Sequence, residues 1–274
     1  MRTLLTRSIS GLIFVALVIF SLTMQPLFFL GFISIVLSIG LFEFHKLFSN
    51  KKQLTHAWPI TVIFGYAVFI GLVTPYFITY NPGFNLFWIG PIVICFYGLL
   101  QAFIFKNKVN SFFLFIGAIL YIAFPFYLAF KIHIQDTGTV PIILGVFILV
   151  WTNDTFAYLS GNLFGKNKLY ERISPNKTWE GFIGGVAFSI LVGFILDQYV
   201  YLNAGFAPFF WAKSAIFIAP AAVVGDLFQS ALKRKMKVKD TGNIMPGHGG
   251  VLDRFDAMLF ALPVFYLLFY FEAI

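Results

Sequence analysis

The chain has 274 residues, of which 59% are hydrophobic and only 11% charged, whereas an ordinary soluble domain is about a quarter charged. That balance excludes a water-soluble fold. Long apolar runs without alternation also exclude a membrane β-barrel, leaving helices that satisfy their own backbone groups. The formal charge of +8 lies in short clusters between apolar runs, which points to membrane topology and away from a nucleic acid polymer as partner.

Apolar stretches near the roughly 20 residues that cross a hydrocarbon core predict an all-α, polytopic transmembrane bundle of nine spans. They lie at 8–24, 27–44, 58–77, 86–105, 112–130, 140–160, 181–201, 209–232 and 252–271. Arg2 and Arg7 ahead of the first run resemble a secretory leader. No small-x-small cleavage site precedes the next run at Leu27, so the segment is expected to stay as the first helix. Cys95 stands alone and excludes an internal disulfide or a cysteine metal cluster. Trp58, Trp88, Trp179 and Trp211 fall near predicted span ends and read as interfacial anchors.

Across alternate connections, all of the 19 lysines and arginines except Lys131 and Lys213 fall on one side. The positive-inside rule places that side, with the N-terminus, in the cytoplasm and the C-terminus outside. The two longest polar connections, 161–180 and 233–250, then share the cytoplasmic face. The chain reads as one membrane domain, with residues 1–139 free of motifs and residues 140–274 carrying the candidate chemistry.

A carboxylate deep in a span costs at least about 2.5 kcal/mol, so it faces a cavity, a cation or a partner. Asp154 and Asp226 each lie about seven residues, roughly 10 Å, from the cytoplasmic end of their helices. Ser230 and Lys233 share a helix face with Asp226 by period, and Asp253 and Asp256 share one at the start of the last helix. Three helices can therefore aim acids into one cavity; the structural alternative is that Asp154 and Asp226 pair with lysines or cap backbone groups. Glu43, beside Lys46, and Asp197 read as interfacial. The connection KRKMKVKDTGNIMPGHGG mixes cations and glycines with Asp240 and His248, and Asp253 and Asp256 follow directly, a combination suited to phosphate and metal. GNLFGK at 161–166 is one residue short of a P-loop, while Gly181, Gly184 and Gly185 read as helix-packing positions.

Ser230-Ala-Leu-Lys233-Arg234, Lys239-Asp240-Thr-Gly242 and Pro246-Gly-His248-Gly249-Gly250-Val-Leu-Asp253-Arg254-Phe-Asp256 resemble the signature of the phosphatidate cytidylyltransferase family. Asn153-Asp154-Thr155 and Ser174-Pro175-Asn176-Lys177 resemble it too. Met245 departs from the Leu, Ile or Phe usual there, a volume-conserving change. The resemblance implies an inner-membrane enzyme that makes CDP-diacylglycerol and pyrophosphate from CTP and phosphatidic acid, assisted by Mg²⁺. Asp226 and Asp253 are implied as metal ligands, with Asp154 and Asp256 as third and outer partners. Lys233, Arg234, Lys239, Asp240, His248 and Arg254 are implied in catalysis, and Lys177, Ser230 and Asn153 in substrate binding. A homodimer stays open. The rival readings are a lipid or nucleotide transporter and a sister nucleotidyltransferase acting on another lipid phosphate; the crowding of motifs at one surface, without internal symmetry, argues against transport.

Overall fold

Backbone groups in a bilayer have no water to bond, and the apolar runs answer this with long helices. The computed structural model describes residues 2–48, 58–76, 116–136, 138–202, 204–245 and 249–272. The helices are α1 Arg2–Thr23, α2 Pro26–Phe48, α3 Trp58–Val73, α4 Ile116–Gln135, α5 Ile142–Phe164, α6 Trp179–Val200, α7 Phe210–Lys235 and α8 Leu252–Glu272. Six of them, α2 and α4 to α8, are long and apolar enough to cross a membrane. The predicted span at 86–105 and the first residues of the one at 112–130 lie outside the described residues; the others overlap these helices.

The spans are helical, as expected, and one small hairpin is added in a connection. In the first polar connection Lys168–Tyr170 (β1) and Ser174–Thr178 (β2) pair antiparallel, with Lys168 opposite Thr178 and Tyr170 opposite Ser174. The hairpin delivers the chain into α6, whose first turn is capped by Thr178: its Oγ1 accepts the Gly181 amide at 3.1 Å.

Helices α5 and α6 meet along a seam of small residues. A Cβ on Gly181 would lie 2.6 Å from the Ala157 carbonyl oxygen, and one on Gly185 would lie 2.8 Å from that of Asn153. The glycines therefore serve close backbone approach, as their spacing predicts. Phe156 and Phe188 stack across the same seam, ring centroids 3.9 Å apart. Trp211, expected at an interface, is instead fully buried. Its indole stacks on Tyr201 at 4.6 Å and fills space left by Gly145, while Gly193 lets the Trp211 backbone approach. The missing side chain at Gly145 makes room for the ring, and a span-end position alone does not reveal it.

Helices α7 and α8 are equally close at one point. An alanine methyl at Gly225 would sit 2.5 Å from the Asp256 carbonyl oxygen and 3.1 Å from Phe260 Cβ. The obstacle is backbone, so the helices must part. Gly225→Ala is expected to destabilise the protein by about 1–3 kcal/mol, measured by denaturant titration in detergent micelles; unchanged stability would show that α7 and α8 are not locked at this contact.

Helix α4 widens into a π-turn at Ile119–Ala123, where the Phe124 amide bonds the Ile119 carbonyl. Pro125 follows and has no amide to continue the ordinary ladder, which accounts for the irregular turn. The turn carries Tyr121, buried against Phe228 and Phe260. The core centres on Phe255 of α8, whose ring meets Phe14, Phe126 and Phe147 edge-on.

Candidate active site

The C-terminal ends of α5 and α7 and the N-terminal ends of α6 and α8 lie together, because each polar connection joins antiparallel neighbours. Into this end project acids from three helices and cations from both connections. Lys177 of β2 places Nζ 2.5 Å from Asp226 Oδ2 on α7, with both side chains about one-quarter to one-third exposed (26% and 32%). Ser230, one helical turn further along, has its hydroxyl 3.4 Å from Asp226 Oδ1. The lysine pairing raised as the structural alternative is thus present at Asp226. Asp154 of α5 is exposed and lies within the fields of Lys177, Asp226 and Arg254. Asp256 of α8 is buried, within the fields of Asp226, Asp154 and Lys233, and has no ion pair among the described residues.

A cavity of about 690 Å³ opens beside these groups, lined by Asp154, Asp226, Lys168, Asn176, Lys177 and Phe182 among others. This lies within the range of roughly 300–1,000 Å³ typical of small-molecule sites. The hairpin forms one wall, so its residues Asn176 and Lys177 face whatever the cavity holds.

Asp253 occupies a different setting. Its Oδ1 accepts from Lys233 Nζ at 2.7 Å and Gln229 Nε2 at 2.9 Å. Its Oδ2 accepts from the Thr241 amide at 2.9 Å, the Thr241 hydroxyl at 3.0 Å and the Gly250 amide at 3.1 Å. These donors fill the roughly four lone-pair directions of a carboxylate. Asp253 therefore ties the second polar connection to the first turn of α8 and holds Lys233 beside it.

The donor set suits a hard divalent cation, which takes carboxylate oxygens. Among the described residues no three acid, histidine or cysteine side chains already meet as a ligand group. Instead a lysine ammonium stands on each of the two acids expected to bind metal, Lys177 on Asp226 and Lys233 on Asp253. Each ammonium marks a position that attracts positive charge, and on Asp253 any metal must replace Lys233 at Oδ1.

Of the other expected residues, Arg234, Lys239, Asp240 and Arg254 are exposed, and Asp240 abuts Gly249, whose φ of 86° only glycine adopts readily. His248 lies outside the described residues. Asn153 does not line the cavity: it is fully buried between α5 and α6, facing Gly185. Asp197 lies at the opposite end, where its oxygens accept the Trp211 and Ala212 amides at 3.0 and 3.1 Å and cap α7.

Several participants were missed or misread. Gln229 is buried and links Asp253 to Tyr121, whose hydroxyl donates to Gln229 Oε1 at 2.7 Å. Thr241 is buried as well. Glu43, read as interfacial, is only 1% exposed and reaches the start of α8: it accepts the Val251 amide at 3.1 Å and the Leu252 amide at 2.9 Å. An acid inside an apolar run was the available signal, masked by the nearby Lys46.

With this geometry in view, comparison with known proteins finds a match to the Cytidylyltransferase family over residues 5–271. The chain belongs to that family. A Staphylococcus epidermidis protein named phosphatidate cytidylyltransferase is 46% identical over 126 residues, 46% of this chain and 48% of its own length. One from Bacillus subtilis of the same name is 39% identical over 151 residues, 55% of each chain. The Aquifex aeolicus protein of that name is 39% identical over 180 residues, 65% of this chain and 66% of its own. The matches thus span about half to two thirds of these cytidylyltransferases.

Proposed function

We propose that the chain transfers the cytidylyl group of CTP to phosphatidic acid, giving CDP-diacylglycerol and pyrophosphate, at the cytoplasmic face of the inner membrane. Family membership supports this reading, and the observation that carries it is the meeting of acids from α5, α7 and α8 with cations from both polar connections at one end of the bundle. The charge asymmetry of the connections supports a cytoplasmic N-terminus and a nine-span layout.

A lipid phosphate oxygen attacks the α-phosphorus of CTP, the new P–O bond forms, and the bond to the bridging oxygen breaks as pyrophosphate leaves with its electron pair. The attacking phosphate is already ionised near neutral pH, so positioning and electrostatics carry catalysis, without a dedicated base. Asp226, with Asp154 and Asp256 and with Asp253 through Oδ1, would hold Mg²⁺, which when bound offsets the charge of the triphosphate. Lys177 and Lys233, once turned from their acids, have ammonium donors for phosphate. Arg234, Lys239 and Arg254 hold the triphosphate and lipid phosphate from the water side, with Asp240 and Ser230 orienting them and His248 donating to the leaving pyrophosphate.

The test is purified protein in detergent with radiolabelled CTP and phosphatidic acid, with and without Mg²⁺. Labelled lipid and pyrophosphate should form only when all three are present. In sealed vesicles, label crossing the membrane without product would replace this reading with transport.

A further inference from the structure

The hydrogen bonds of Glu43 reach further than a helix cap. Its carboxylate lies on α2, in the half of the chain without motifs, yet it receives the Val251 and Leu252 amides and the Thr241 hydroxyl, the last at 3.1 Å. That hydroxyl is equally close, at 3.0 Å, to Asp253 Oδ2. One proton thus lies between two buried carboxylates, and Thr241 couples the position of one to that of the other. The backbone has been cleared for this contact: a Cβ on Gly242 or on Gly250 would strike the Glu43 carboxylate. Two glycines that the sequence suggested for phosphate approach instead make room for an acid from a distant helix.

We infer that Glu43 is a positioning residue for the reaction: through Thr241 and the first amides of α8 it fixes the second polar connection and the orientation of Asp253, and with them Lys233. The charge suits the place. Helix N-termini present unsatisfied amides and a partial positive charge, and a buried carboxylate is the group that answers both. A glutamine at 43 could accept only one of the two amides, turning its own NH₂ toward the other, so even this isosteric change loosens the seat.

The inference rests on the proposed cytidylyl transfer, and its test separates the two. Full-length protein in detergent is compared as wild type, Glu43→Gln, Thr241→Val and the double variant, with Asp197→Asn as control. Asp197 also caps a helix, but at the far end of the bundle, so its loss lowers thermal stability and leaves kcat in place. Glu43→Gln and Thr241→Val are each expected to lower kcat by roughly 10- to 100-fold, the scale seen when groups supporting a site are removed. KM for CTP should change much less, and the double variant should be little worse than either single one, because both break one linkage. A second readout needs no substrate: trypsin should cut at Lys237 and Lys239 faster in Glu43→Gln than in wild type or Asp197→Asn. Wild-type protein that makes no CDP-diacylglycerol overturns the proposed reaction, while trypsin still reports whether Glu43 seats the connection. Near-normal kcat in Glu43→Gln, fully additive losses or unchanged cleavage rates overturn the role given to Glu43.

Discussion

Asp226→Asn is expected to lower kcat/KM for cytidylyl transfer by roughly 100- to 1,000-fold, the scale of losing one preorganised charged group at a transition state, with the fold retained. Asp226 is partly exposed and pairs with Lys177 in an open cavity, so its charge contributes little to stability. Its worth is local field. Without it Lys177 loses its partner, and of the proposed cation-holding acids only Asp154, Asp256 and Asp253 are left. The measurement is steady-state transfer over a Mg²⁺ titration, paired with a thermal melt. A weakened Mg²⁺ dependence with an unchanged melt is the expected pattern, and near-wild-type turnover would remove Asp226 from the site.

Asp253→Asn should behave differently, losing activity and stability together. The carboxylate side chain is 4% exposed and the Lys233 side chain 13%. Breaking such a buried pair from one side costs about 3–5 kcal/mol, because the remaining charge is left without compensation. Asparagine also turns an NH₂ toward either Lys233 and Gln229 or the amides of Thr241 and Gly250, all of which are donors. Denaturant titration in detergent should show the loss directly. A variant with wild-type stability and abolished turnover would mean that Asp253 acts on substrate or metal alone and that the hydrogen bonds around it hold nothing in place.

The contrast between these acids shows what a sequence exposes and what it hides. Spans were legible because crossing a bilayer demands uninterrupted apolar runs, and acids within them stand out by their cost. Asp154, Asp226, Asp253 and Asp256 could therefore be brought to one end of the bundle from depth and helical period. The neutral polar groups sent no such signal. Gln229, Thr241 and Tyr121 are inexpensive in an apolar context, and only the fold shows that they form one chain of hydrogen bonds with Asp253. Glu43 carried the right signal, yet its neighbour Lys46 gave a simpler explanation. Glycine was ambiguous for a related reason: the residue that lets a phosphate approach also lets a helix or a carboxylate approach, and Gly185, Gly225 and Gly250 are of the second kind.

The reach of Glu43 also sets a schedule for biogenesis. Val251 stands 208 positions after it, and at ordinary bacterial elongation rates the ribosome needs roughly 10–40 s to make that stretch. For this interval α2 sits without the amides that will satisfy its acid. Joining of the two chain halves therefore waits for α8, and a nascent chain that stops short of that helix keeps both the acid and the connection unassembled.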